Sequence, residues 1–141
     1  MSWTNYDYVE IRKLPGGEHG VFSRTDIPKD AVVAIFDGRA VALDIKPDGT
    51  VDYGSENPHM LIHLAVVDGK FFALSPITPD DIGGVDFMNH SCKPNCYIER
   101  TLVVRAKQMI PKGTELKWDY RETDLVPQGI PCWCEEPKCV L

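Results

Sequence analysis

Long hydrophobic runs are missing from this 141-residue chain, and so is any window that sustains a helical period. The first absence argues against a membrane-spanning helix, which needs roughly 20 consecutive apolar residues. Met1 to Glu10 is also too polar for a secretory leader, so the expectation is an intracellular protein with no membrane partner. A basic excess is lacking as well. At a net charge of −6 the chain is poorly suited to neutralising nucleic-acid phosphates, and no direct nucleic-acid binding is expected. Neither a Walker-type phosphate loop nor a Rossmann glycine fingerprint occurs. Five cysteines, an odd number, fit a disulfide framework poorly, whereas reducing surroundings keep thiolates available for metal.

Three of those cysteines crowd the last ten residues, as Cys132-Trp133-Cys134 and Cys139. Structural zinc is closed by four protein ligands, so this tail is three legs of a site that needs one more. The only other cysteines, Cys92 and Cys96, lie in Phe87-Met88-Asn89-His90-Ser91-Cys92-Lys93-Pro94-Asn95-Cys96, a polar segment that reads as an active-site loop. If either completes the zinc, the metal pins the chain's end onto that loop.

Eleven prolines and eleven glycines cut the rest into short pieces. Apolar or alternating runs over Tyr8 to Lys13, Ala31 to Phe36, Arg39 to Leu43, Lys70 to Leu74, Cys96 to Ala106 and Glu115 to Tyr120 give the pattern of a mostly β protein of one domain's size. Met60 to Val67 fits helix or strand. Asp37-Gly38 and Asp68-Gly69 read as hairpin turns, and Pro47 to Pro58 as a surface loop. Ile27-Pro28-Lys29-Asp30 is echoed by Ile110-Pro111-Lys112-Gly113, two similar turns that each enter a strand. Between Asp119 and Glu136, five acidic side chains face the single Arg121, either as a solvated rim or as a surface that steers a cationic peptide.

In Glu115 to Tyr120 the alternation puts Leu116, Trp118 and Tyr120 on one face of a strand. Two aromatics there are ordinarily core. A metal joining the tail to Cys92, however, folds the segment after Tyr120 back toward Asn89 and His90, which gathers a phenol, a carboxamide and an imidazole beside Trp118. Four thiolates leave zinc no open position for hydrolysis, and a cysteine that holds zinc is not a free nucleophile. What remains is chemistry in which the protein orients two bound molecules.

Taken in order, Gly20-Val21-Phe22, Asp26-Ile27-Pro28-Lys29, the Phe87–Cys96 segment, Val104-Arg105-Ala106, Ile110-Pro111-Lys112-Gly113-x-Glu115-Leu116 and Asp119-Tyr120 closely resemble a SET domain. The Cys-x-Cys-x4-Cys tail resembles the post-SET zinc motif of histone lysine methyltransferases. The resemblance runs from about Tyr8 to Leu141, with a SET unit over 1–126 and a post-SET tail over 127–141. It implies several short curved β-sheets with a pseudoknot around Asn89 to Cys92, although threaded connections are rare in proteins at large. It also implies methyl transfer from S-adenosylmethionine to a lysine of a basic protein or peptide such as a histone. That setting is nuclear in a eukaryote and cytoplasmic in a bacterium.

By the same resemblance Asn89 and His90 bind the cofactor, His90 through its backbone, while Glu18, His19 and Gly20 lie along the methionine end. Tyr120 is the catalytic tyrosine, and Cys92 joins Cys132, Cys134 and Cys139 on one zinc ion. Trp133 belongs to a lid over the cofactor. Trp118 stands where the family has Phe or Tyr, a site that limits how many methyl groups the lysine channel holds, so its bulk favours mono- or dimethyl product. Tyr53 is the candidate second channel tyrosine. Departures are Glu18 for a usual glycine, Asp86 for a usual arginine, and no cysteine-rich region ahead of the domain. Two non-enzymatic readings stand beside this one: a SET-like module that binds a basic peptide or cofactor without turnover, and a zinc-stapled structural domain.

Overall fold

Short alternating runs become short strands, and the turns between them decide which sheet each strand joins. The computed structural model describes residues 2–78 and 80–122. In chain order the strands are β1 (Trp3–Thr4), β2 (Val9–Lys13), β3 (His19–Ser23), β4 (Val32–Ile35), β5 (Arg39–Ile45), β6 (Val51–Asp52), β7 (Ile62–Val67), β8 (Lys70–Ser75), β9 (Asn89–His90), β10 (Cys96–Glu99), β11 (Val103–Ala106) and β12 (Glu115–Trp118). They form three four-stranded sheets, ordered β1-β4-β11-β10, β2-β3-β12-β9 and β6-β5-β8-β7. A mostly β protein of several small sheets is what the sequence led us to expect.

The first two sheets share one core, in which Val9, Val21, Ile27, Val33, Val104, Leu116 and Trp118 are buried. The third, inserted between β4 and β9, keeps a smaller core of Val51, Leu61, Phe71 and Ala73. The echoed turns turn out to hold one another. Ile27 and Ile110 exchange backbone hydrogen bonds of 2.8 and 2.9 Å, and both side chains are fully buried. Each turn then leaves through a positive φ, 67° at Asp30 and 85° at Gly113, to start β4 and β12.

Several expectations need correcting. Asp68-Gly69, with φ of 52° and 75°, is a hairpin turn between β7 and β8, but Asp37-Gly38 is not one. It carries the chain from the first sheet to the third, because β4 pairs with β1 and β11 while β5 pairs with β6 and β8. Gly38 is needed there for space, since a Cβ would collide with the Ser75 carbonyl oxygen. The run from Cys96 to Ala106 is two strands, broken where Arg100 and Thr101 adopt φ of 52° and 73°. Pro47 to Pro58 is not all loop, for Val51 and Asp52 pair with Ile45 and Asp44 of β5. Met60 to Val67 divides into the end of a 3₁₀ turn (Pro58–Met60) and strand β7. Finally, β12 stops at Trp118, and Tyr120 opens a 3₁₀ turn, Tyr120–Glu122, rather than continuing the strand.

Candidate active site

Strand β12 organises the site from both edges. Its N-terminal half pairs antiparallel with β3, and its C-terminal half pairs parallel with β9, which sets Asn89 opposite Lys117 and His90 opposite Trp118. The Ser91 N–H then donates to the Trp118 carbonyl at 3.1 Å. Asn95 acts as a further rung: its Nδ2 donates to the Glu115 carbonyl and its Oδ1 accepts from the Lys117 N–H, both at 2.9 Å.

The polar atoms of the Asn89-His90 pair are committed in a defined way. Asn89 Nδ2 donates to the His19 carbonyl at 3.1 Å and to Glu115 Oε2 at 3.0 Å. His90 is 1 % exposed, and its Nδ1 accepts the Tyr120 N–H at 3.1 Å. That nitrogen must therefore hold the lone pair, so the neutral ring carries its proton on Nε2, which lies 3.5 Å from Cys92 Sγ. Burial lowers the His90 pKa against the opposing pull of Asp119, 3.7 Å from Nδ1, so neutrality is favoured. Burial alone would raise the Asp119 carboxyl, but hydrogen bonds and charge from Arg121 hold it below its usual value.

Tyr120 packs its ring 4.9 Å from Trp118 and 5.1 Å from His90, and its hydroxyl donates to the Met88 carbonyl at 2.6 Å. Burial first, and then the nearby Glu115 charge, raise this phenol well above its ordinary pKa. It remains a neutral hydroxyl and is no general base.

A cavity of about 520 Å³ opens between these parts, lined by Glu18, His19, Asp86, Phe87, Met88, Asn89 and Tyr120. The Phe87 ring stacks on His19 with centroids 4.6 Å apart. Asp86, the acid in place of arginine, has both oxygens engaged: Oδ1 accepts from Ser2 Oγ at 3.1 Å and Oδ2 from the Gly83 N–H at 3.0 Å, and burial raises its pKa. It caps the 3₁₀ turn Gly84–Phe87 and so steadies Phe87.

Five of the candidate residues, Glu18, His19, Asn89, His90 and Tyr120, are thus brought together, and Gly20 lies behind them on β3. Trp118 is 5 % exposed and is wedged between Tyr120 and Phe36, with the Phe36 ring 5.9 Å away. Tyr53 packs against the small core of the third sheet and is not among the residues that line this cavity. Cys92 is half-buried beside His90, while Cys96 is buried, its thiol pushed up to about 12 by burial and then by Glu122. Cys132, Trp133, Cys134 and Cys139 lie outside the described residues, and among those described no three metal-binding side chains converge. Glu115 and Asn95 are the residues that the sequence reading passed over. Their one signal was a polar side chain inside a motif read for its neighbours.

The SET domain pattern matches residues 18–121. A histone-lysine N-methyltransferase, H3 lysine-36 specific, from Candida glabrata is 26% identical over 144 residues, covering 96% of this chain and 19% of that protein. Its Schizosaccharomyces pombe counterpart is 29% identical over 129 residues, 86% of this chain and 16% of that protein. Histone-lysine N-methyltransferase trr of Drosophila melanogaster is 27% identical over 148 residues, 99% of this chain and 6% of that protein. The chain therefore spans a fifth or less of the length of these relatives. With three small sheets, a β9–β12 parallel junction beside Tyr120, and a family match over most of its length, the chain belongs to the SET domain family.

Proposed function

We propose that this chain is a protein-lysine N-methyltransferase that takes its methyl group from S-adenosylmethionine and acts on a lysine of a basic protein, a histone tail foremost. The observation that carries this reading is the Tyr120 hydroxyl, anchored on the Met88 carbonyl at the edge of a cavity that Asn89, His19 and Glu18 also line. At about 520 Å³ the cavity falls within the range of roughly 300 to 1,000 Å³ usual for small-ligand sites. Its acceptors suit the cofactor: the Glu18 carboxylate and the Asn89 carbonyl oxygen match a ligand that carries both an ammonium and a sulfonium charge.

When bound, the cofactor supplies a methyl group already activated on a positive sulfur. The protein's part is orientation and desolvation. A lysine amine reacts only when neutral, although its ordinary pKa is about 10.4. The Tyr120 ring lines the cavity and is backed by Trp118, and a lysine amine held against it would have little water, which favours the neutral form. The Tyr120 hydroxyl donates its proton to Met88, and its oxygen has the lone pairs to accept from the amine or the methyl C–H groups. Holding donor and acceptor in line supplies much of the remaining rate.

Three finer readings accompany this one. Trp118 restricts the channel, so mono- and dimethyl-lysine are the products. Cys92, Cys132, Cys134 and Cys139 hold one structural zinc over the 127–141 tail, next to a SET unit over 1–126 and a threaded segment at Asn89 to Cys92. Support for the first leg is a half-buried Cys92 thiol with the Nε2–H face of His90 beside it. The basic substrate is supported by residues 37–86, where nine acidic side chains face only Arg39, Lys46 and Lys70. The relatives are named histone-lysine N-methyltransferases, which supports a nuclear, chromatin-associated setting, and no described helix is long and apolar enough to cross a membrane.

The test is transfer of radiolabelled methyl to a histone panel, with Tyr120→Phe and a zinc chelator as comparison arms. Label on a histone lysine that both arms reduce is the expected result. Binding of S-adenosylmethionine without transfer to any basic protein would assign the chain to a non-catalytic module. No binding at millimolar cofactor would remove the reading altogether.

A further inference from the structure

Asn89 Nδ2 has two neighbours within hydrogen-bond distance, the His19 carbonyl at 3.1 Å and Glu115 Oε2 at 3.0 Å. Both are pure acceptors, so the amide cannot be turned over without setting oxygen against oxygen twice. The nitrogen is fixed on the strand side, and Oδ1 becomes the polar atom that Asn89 can offer to the cavity it lines. Of the two acceptors, the His19 carbonyl is a fixture of β3, whereas Glu115 is a chosen side chain.

Gly20 bears on the same point. A Cβ there would stand 3.0 Å from Glu115 Oε2, 3.1 Å from the Phe22 ring and 3.3 Å from the Glu115 carboxyl carbon. Gly20 is buried and its φ is not in the left-handed region, so conformational freedom does not explain the glycine. The space beside it is taken by the Glu115 carboxylate and the edge of the Phe22 ring. Asn95 Nδ2 holds the Glu115 carbonyl at 2.9 Å, which steadies the backbone that carries this side chain. Lys117 Nζ, 3.8 Å from Oε1, balances its charge from the solvent side.

We propose that Glu115 is a positioning residue for the cofactor: accepting from Asn89 Nδ2, in the space that Gly20 leaves open, it fixes the amide so that Oδ1 faces the cavity and receives the cofactor's ammonium group. The inference rests on the reading of this cavity as the S-adenosylmethionine site. Glu115 does not touch the cofactor, and its effect passes entirely through Asn89.

The experiment is calorimetric titration of the purified chain with S-adenosylmethionine, with melting temperature measured in parallel and steady-state rates on a histone substrate. Glu115→Leu removes the acceptor and should weaken binding about tenfold, raising KM for the cofactor with little change in kcat. Glu115→Gln keeps a carbonyl acceptor and should recover most of that loss, to within about threefold of the parent. In an Asn89→Ala background, Glu115→Leu should cost nothing further, because the residue it acts through is already gone. If the parent binds and Glu115→Leu binds equally well, or if the losses at Asn89 and Glu115 simply add, the positioning role is wrong while the site stands. If Glu115→Leu loses affinity only in proportion to a lowered melting temperature, and Glu115→Gln shows the same, Glu115 is structural and the proposal fails. If the parent itself does not bind, the site reading fails first.

Discussion

The Tyr120 backbone N–H donates to His90 Nδ1 at 3.1 Å, so a side chain of β9 holds the residue on which the methyl-transfer reading turns. The ring also brings Nε2 within 3.5 Å of Cys92 Sγ, linking the tyrosine to the proposed zinc leg. Removing the imidazole as His90→Leu leaves that N–H without its acceptor, and the cost should be about 1 to 3 kcal/mol in chemical denaturation. His90→Asn can offer its Oδ1 in place of Nδ1 and should recover part of it. Nitrogen NMR of the labelled ring should report the Nε2–H tautomer. An Nδ1–H ring, or a leucine variant as stable as the parent, would break the link.

Some of this arrangement was written in the sequence and some could not be. The Ile27 and Ile110 turns were visible as an echo because each needs an apolar anchor followed by a φ-permissive exit, yet nothing local says that the two anchors pair with each other. Likewise, alternation marked β12 but could not give its partners, since a parallel rung between Asn89 and Lys117 depends on the 27 intervening residues, among them β10 and β11 of another sheet. Asp37-Gly38 misled for the opposite reason: its dipeptide matches a hairpin turn, while its glycine answers a crowded carbonyl in another sheet. Glu115 was unreadable because its role comes from Asn89 and Gly20, distant in sequence and adjacent only after folding. The motif order, by contrast, carried the family.

Trp118 lies between Phe36 and Tyr120 at 5 % exposure, so its replacement tests packing and product together. Trp118→Phe removes buried volume and should lower stability by about 1 to 3 kcal/mol. The space opened beside Tyr120 should also raise the share of trimethyl-lysine, read by mass spectrometry of the product peptide. A parent that already makes abundant trimethyl product would end the size argument.

Gly38→Ala should be among the more damaging single changes outside the cavity. The added methyl meets the Ser75 carbonyl oxygen, a backbone atom in β8 that cannot rotate aside. Separating β8 from the Asp37–Gly38 passage should cost more than about 2 kcal/mol, near the upper part of the usual range for point changes. A stability loss under 0.5 kcal/mol, the ordinary scatter of surface changes, would show that this contact relaxes easily.

His63 gives the third sheet a pH dependence with a definite sign. It is 1 % exposed in β7, edge-on to the Phe71 ring at 4.7 Å, and burial lowers its pKa from 6.5 to about 4. Below pH 6.5 the unfolded chain gains a proton that the folded chain does not take up, so stability falls as pH drops toward 4 and levels off below it. Between pH 7 and pH 5 this one residue should account for about 2 kcal/mol of lost stability. The carboxylates whose pKa values are lowered, Glu56 and Asp119 among them, lose their contribution only as pH falls through the carboxylate range, while Asp86, raised by burial, acts in the opposite direction, so the loss in that window belongs to the histidines. His90, also lowered, adds in the same direction. His63→Phe keeps the ring beside Phe71 and removes the titration, and urea unfolding at the two pH values should show a smaller difference for the variant than for the parent. Equal differences would mean that the folded sheet accommodates a charged His63, and that its burial does not set the acid sensitivity of this fold.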